Sequence, residues 1–226
     1  MRHDTEVLLV MPSLQTRLHP GVIPPTSASW RRRSRSAHLH QGQLTGCCGG
    51  MSVLMSLIVI GVASRAHVRS LRVIAEGDRL EPTWRKVQEN FFAGADDGDM
   101  VELLGTLHQY LRYRLVTGSM RQVLAFTLER LAKDEVVILG FNDEGAVGGH
   151  WVLACGIELL VAGSTRTTTG VLCLDSAEDP PTLAPFNTRL ELESPSRGAR
   201  FLHYRRPNGS VRIVTCKAAI ALSRRR

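Results

Sequence analysis

Two adjacent cysteines, Cys47 and Cys48, stand where Gly46 gives way to an uncharged apolar run. A thiol at the first turn of a helix faces unpaired backbone N–H groups and the positive end of the dipole. Both favour thiolate, the form that attacks carbonyl carbon. His150 lies in Gly148-Gly149-His150-Trp151-Val152-Leu153, where a glycine loop turns into an apolar strand. An imidazole with a near-neutral pKa, held at a strand's lip, suits a general base for that thiol. Asp175 closes Val171-Leu172-Cys173-Leu174-Asp175. If the strands of His150 and Asp175 form a hairpin, the two residues lie near the same end of it. The carboxylate can then accept the imidazole N–H and fix its tautomer. Gln41, with Gln43 as the alternate, lies upstream of the cysteines, where a side-chain amide can donate to a developing oxyanion. Singly, each residue has a plainer role: a small core hydrophobe, a structural histidine, a turn former, a surface amide. The chemistry resides in the ordered set.

That order, Gln, Cys at a helix start, His at a strand start, Asp at the next strand end, resembles the papain-like cysteine peptidases. The nearest likeness is to their bacterial branches, the C39-like peptidases and the staphopain and YopT-type enzymes. The nucleophile region reads Gln41-Gly42-Gln43-Leu44-Thr45-Gly46-Cys47-Cys48-Gly49-Gly50-Met51-Ser52. The base reads Gly149-His150-Trp151, with Val136-Val137-Ile138-Leu139 ahead of it, and the third member reads Leu174-Asp175-Ser176. The resemblance covers roughly residues 39–180. Cys48 is favoured as nucleophile because Gly49-Gly50-Met51-Ser52 follows it; Cys47, six residues after Gln41, stays open. Where these families often carry Pro or Asn after the Asp, this chain has Ser176.

The resemblance implies an α+β, two-lobed papain-like domain over 39–226, with a central buried helix carrying the Cys at its N-terminus and packed on an antiparallel β-sheet. It implies a thiol-dependent amide-bond hydrolase acting on a protein or peptide, with a Cys48-His150-Asp175 triad and Gln41 as oxyanion donor. The same triad also supports deamidation or acyl transfer. Bacterial enzymes of this type and size include effectors and toxins, for which a delivery chaperone or an inhibitor protein would be the partner.

The elements that must hold these residues follow from periodicity. The run 51–63 is apolar on nearly every face, which predicts a central helix. A more polar helix follows over 65–77, and 81–93 is mixed, anchored by Trp84, Phe91 and Phe92. Met100, Leu103, Leu104, Leu107, Tyr110, Leu111 and Leu115 recur at helical spacing, and 120–132 repeats that pattern. From Val136 the pattern is that of strands: 136–141, 150–160, 170–174, and 201–204 paired with 211–215 across Pro207-Asn208-Gly209. Helices first and strands later is an α+β order. Residues 1–38 carry prolines and a Ser/Arg stretch without apolar periodicity. They read as a poorly structured extension whose removal, up to Ala37, leaves the fold intact.

Composition bounds the rest. The 226 residues are 43% hydrophobic and 22% charged, ordinary for a chain with a real core. The net charge of +7 comes from four arginines within 30–35 and three at 224–226, read as solvated ends. Those clusters also support an alternative, a non-enzymatic protein binding nucleic acid or an anionic surface, although no zinc finger or RNA-binding fingerprint accompanies them. Stable nucleic-acid binding is therefore not expected. Five cysteines with no C-x-x-C spacing suit neither a disulfide framework nor a zinc site, and no cofactor or metal is expected. Reduced thiols and no visible signal peptide point to a cytoplasmic protein, or one exported without a cleavable signal. The uncharged stretch 45–64 is long enough for a membrane span but opens with Gly46-Cys47-Cys48-Gly49-Gly50, which fits a buried helix better.

Overall fold

A computed structural model describes residues 12–22, 36–42, 46–73, 76–145, 148–182, 184–192 and 201–225. The first described element is a strand, β1 (Ser13–Leu18), in a segment whose sequence pattern predicts little regular structure. Helix α1 (Cys48–Ile60) follows. Its apolar surface runs all round, and nearly every residue in it is buried, so it has no solvent face. Gly61 ends it at φ 77°, a left-handed conformation that costs a residue without Cβ nothing. Helix α2 (Arg65–Ser70) is capped by Ser64 and stops short of the helix predicted over 65–77. Helix α3 (Glu81–Glu89) turns Trp84 and Val87 inward. Helix α4 (Asp97–Gly105) starts at a reciprocal capping box between Asp96 and Asp99.

The helical spacing read through Leu115 fails after Gly105. Residues 111–117 form strand β2 (Leu111–Thr117) instead. Leu111 and Leu115 are four apart, a separation that puts both on one face of either a helix or a strand. Helix α5 (Met120–Leu131) is capped by the Ser119/Gln122 box. The remaining strands are β3 (Val136–Asp143), β4 (Gly149–Ala162), β5 (Thr165–Leu174), β6 (Thr188–Glu191), β7 (Leu202–Arg205) and β8 (Val211–Arg224).

These strands overturn the two-lobed, helix-on-sheet papain-like architecture. They run β4-β3-β8-β7-β6-β5, and β5 pairs back onto β4, so the six form a closed antiparallel barrel. β1 extends it along β4, from Ser13 opposite Val161 to Leu18 opposite Gly156, and β2 lies along the far end of β8. Closure depends on β6, absent from the sequence reading because Thr188-Arg189-Leu190-Glu191 is short and half charged. Its charges are answered across the sheet: Arg189 bonds Glu158 of β4, and Glu191 bonds Arg205 of β7. Register shifts in β4 and β8 bend the two longest strands, as a closing sheet requires. At the C-terminus, read as a solvated end, Arg224 completes β8 and the Arg225 N–H donates to the Tyr110 carbonyl at 2.9 Å. The arginines within 30–35 lie outside the described residues.

Strand alternation divides the core in two. Val137, Leu139, Phe141, Val152, Ala154, Val171, Cys173, Leu190, Tyr204 and Cys216 form one cluster with contributions from all six barrel strands, which makes it the barrel interior. The opposite parity, Val136, Ile138, Trp151, Leu153 and Ile220, meets α1, α3 and α4 outside. Leu54, Met55 and Leu57 are almost completely buried in that outer layer, where truncation to Ala would cost about 2–5 kcal/mol each. Among the described residues no helix is long and apolar enough to cross a membrane.

Candidate functional site

Helix α1 delivers Cys48 at its first turn, against β4. The preceding residue, Cys47, is the N-cap and offers no side-chain cap bond, and no acidic residue occupies the first turn. The positive end of the helix is therefore left for the thiol. Gly49 makes the placement possible: a Cβ there would lie 2.7 Å from the Met100 sulfur and 3.3 Å from the Trp151 ring. The Ser52 hydroxyl donates to the Trp151 carbonyl at 3.3 Å, tying α1 to β4 one turn below.

The two cysteines face different surroundings. Cys47 is 2% exposed, with its sulfur directed at the Val87 carbonyl of α3, 4.0 Å away. Burial and the neighbouring Cys48 push its thiol up to about 11. Cys48 lines a cleft with His150, the group whose hydrogen bonding and charge act on its thiol, while its sulfur lies 3.9 Å from the Gly46 carbonyl. Burial alone would raise its thiol too. The bond and charge of His150, with backbone N–H groups of Trp151 and Gly49, outweigh burial and bring it below its ordinary value.

His150 stands at the start of β4, opposite Phe141 of β3, whose ring meets the imidazole edge-on at 5.5 Å. Its Nε2 bonds Asp175 Oδ1 at 2.8 Å, which leaves Nδ1 as the ring nitrogen not engaged by the carboxylate. Burial alone pushes the imidazolium down. The hydrogen bonds and negative charges of Asp175 and Cys48 reverse this and raise it to about 10. A lowered thiol beside a raised imidazole is the condition for a thiolate–imidazolium pair.

Asp175 follows β5 directly and is completely buried. A buried carboxylate survives only when it is fully hydrogen-bonded. Oδ1 also accepts the Ala177 N–H at 2.9 Å, and Oδ2 accepts the Tyr204 hydroxyl at 2.7 Å. Burial would raise its pKa; the bonds and charge of His150 and these donors carry it below the usual carboxylate value. The backbone is clamped as well. Asn187 accepts the Asp175 N–H at 2.8 Å and donates to its carbonyl at 2.8 Å, while His38 Nε2 lies 2.8 Å from the same carbonyl.

Gln41 reaches the site from the segment before α1. Its N–H donates to the Ser176 carbonyl at 2.9 Å, and the Ser176 hydroxyl donates to its Oε1 at 2.7 Å. Gln41 and Cys48 line the same cleft, which measures about 810 Å³. Residues 93–99 form one wall, held to β4 by the Trp151 indole N–H donating to the Ala95 carbonyl at 2.8 Å. Lys217 stands among the other lining residues. Gln43 lies outside the described residues.

The structure thus brings Cys48, His150 and Gln41 to one cleft, with Asp175 buried behind His150, and turns Cys47 away from it. Sequence reasoning missed Tyr204, Asn187 and His38, which act on Asp175 from segments 12 to 137 positions away. It noticed Ser176 only as a departure from the family pattern. No short-range signal marks such partners. Among the described residues no cluster of His, Cys, Asp and Glu could hold a metal ion. No protein-family model matches the chain, and no curated protein matches it.

Proposed function

We propose that the protein is a thiol-dependent amide hydrolase, a cysteine peptidase in its reaction chemistry. The single observation that carries this reading is the meeting of Cys48 and His150 in one cleft, with Asp175 bonded to His150 Nε2 behind it, the thiol lowered and the imidazole raised. The likeness of the ordered motifs to papain-like cysteine peptidases supports the same chemistry. The barrel that holds the relay is not the architecture that likeness implied.

In this mechanism His150 Nδ1 takes the Cys48 proton, and Asp175 holds the resulting imidazolium through Nε2. The thiolate attacks the substrate carbonyl carbon, and its oxygen becomes an oxyanion. The Cys48 backbone N–H, at the first turn of α1 and without an intrahelical acceptor, is one donor for it. The Gln41 amide is the second. The Gln41 side chain lines the cleft, and the Ser176 hydroxyl donates to its Oε1. The imidazolium then returns its proton to the leaving amine, giving a thioester. Water, deprotonated by the same imidazole, releases the acid and regenerates the thiol.

The test is turnover of a fluorogenic peptide-amide library by the full chain. Cys48→Ala and His150→Ala should each lower kcat/KM by about 10⁴–10⁶-fold, and the double change should add little, because the pair acts as a unit. Cys47→Ala should leave turnover within about threefold. Turnover that persists in Cys48→Ala would refute the reading.

A further inference from the structure

On the far side of Asp175 from His150 stands a group that the reaction above does not use. Tyr204, on β7, is 0% exposed, and its hydroxyl donates to Asp175 Oδ2 at 2.7 Å while lying 2.8 Å from Thr188 Oγ1 of β6. Its ring packs against Phe141 at 4.8 Å, and Phe141 in turn meets the His150 ring. The Asp175 carboxylate is thus held at both oxygens: Oδ1 by His150 and the Ala177 N–H, Oδ2 by the phenol.

We propose that Tyr204 is a positioning residue for the reaction at Cys48, holding the Asp175 carboxylate ionised and in the rotation that presents Oδ1 to His150. The proposal rests on the thiol-hydrolase reading. A carboxylate anchored at one oxygen can turn about its last torsion; one anchored at both cannot. A carboxylate with no access to water also needs donors to stay charged, and a phenol is suited to that task here. Burial and the adjacent Asp175 charge keep Tyr204 far above its ordinary range, so it stays a donor throughout the working pH span. Barrel closure is what delivers it: β6 bridges β5 to β7, with Thr188 opposite Cys173 and Leu190 opposite Tyr204. An open sheet ending at β5 would leave Oδ2 without this donor.

The titratable groups around the carboxylate are His150 from β4, Cys48 from α1, Cys173 from β5, Tyr204 from β7 and His38 from the segment before α1. Burial keeps the Cys173 thiol protonated and lowers His38. His150, Cys48 and Asp175 are left to set the acid side of the profile.

The experiment measures the rate of iodoacetamide alkylation at Cys48 against pH in the full chain, located by peptide mapping, with a thermal melt of each variant. Tyr204→Phe keeps the ring and removes the donor. Losing one hydrogen bond to a buried charge should move the acid limb up by about one pH unit, so that alkylation below the limb slows about tenfold. In an Asp175→Asn background the same change should alter the rate by less than about twofold, because the two act through one contact. A merely structural tyrosine would lower the melting temperature in both backgrounds and leave the limb in place; that result overturns the proposal. If Tyr204→Phe does not fold, incorporation of a ring-fluorinated, more acidic tyrosine should move the limb down, and an unmoved limb again overturns it. A wild-type Cys48 with an ordinary thiol profile would remove the hydrolase reading and this proposal together. A depressed wild-type profile that Tyr204→Phe leaves unchanged removes Tyr204 alone.

Discussion

Cys47 and Cys48 are identical in type and adjacent in sequence, yet they receive opposite environments. One step along the backbone decides this: Cys47 caps α1 and packs toward α3, while Cys48 begins the helix and shares the cleft with His150. Two predictions belong at this scale. First, kcat/KM should follow a bell. Its acid limb marks formation of the Cys48 thiolate and lies below the ordinary thiol range, because that thiol is lowered. Its alkaline limb lies near 10, where the raised His150 imidazolium loses its proton. The thiolate–imidazolium form exists between the two limbs and is lost on either side. Initial rates across a constant-ionic-strength pH series check this, and an alkaline limb near 6.5, the ordinary histidine value, would contradict it. Second, Gln41→Ala should lower kcat by roughly 10²–10³-fold, the loss expected for one oxyanion donor, with KM little changed. If Gln43→Ala is damaging and Gln41→Ala is neutral, the donor has been misassigned. Much of this site was legible in residue type and spacing, because Gln41, Cys48, His150 and Asp175 each lie at a recognisable junction. Tyr204, Asn187 and His38 were not legible, since each reaches Asp175 only through folding of distant segments.

At the scale of elements, patterning was readable where one period excluded the other. The all-round apolarity of α1 and the β-branched run of β3 leave little choice. It was ambiguous where both periods fit, as at Leu111 and Leu115 of β2, and silent where charges interrupt a strand, as in β6. The N-terminal segment is a case of tertiary override. Ser13–Leu18 is mostly exposed and has no periodic apolar face, yet it pairs with β4 across six positions, and the His19 N–H donates to the Cys155 carbonyl at 2.8 Å. Backbone hydrogen bonding, to which side-chain pattern is blind, holds it there. Val22, Ala37 and His38 are buried as well. A chain beginning at Leu39 should therefore melt at least about 5 °C lower than the full chain, the shift that about 2 kcal/mol produces at this size. It should also show a weaker site, because His38 no longer supports Asp175. An unchanged melting temperature in differential scanning calorimetry would show that β1 contributes nothing to stability.

For the molecule as a whole, closure into a barrel is the feature furthest from the sequence pattern. Sheet order depends on which edges find each other, and β5 meeting β4 again leaves no mark on either strand's composition. Closure also sets the location of the chemistry. His150, Asp175 and Tyr204 share the parity of the barrel-interior residues Val152, Cys173 and Leu202, and hydrogen bonds join the three. The thiol comes from the helical layer outside. The site forms where the two layers meet, and neither layer carries it alone.

The central claim is that Cys48 and His150 form a thiolate–imidazolium pair, and site-resolved alkylation across pH tests it most directly. With limiting iodoacetamide and peptide mapping, the account predicts modification at Cys48 well below the ordinary thiol range, while Cys47, Cys155, Cys173 and Cys216, whose thiols burial pushes up, stay unmodified in the native chain. His150→Ala should return Cys48 to slow, ordinary or burial-raised reactivity. Preferential labelling of Cys47, or labelling of Cys48 that is indifferent to His150→Ala, would contradict it.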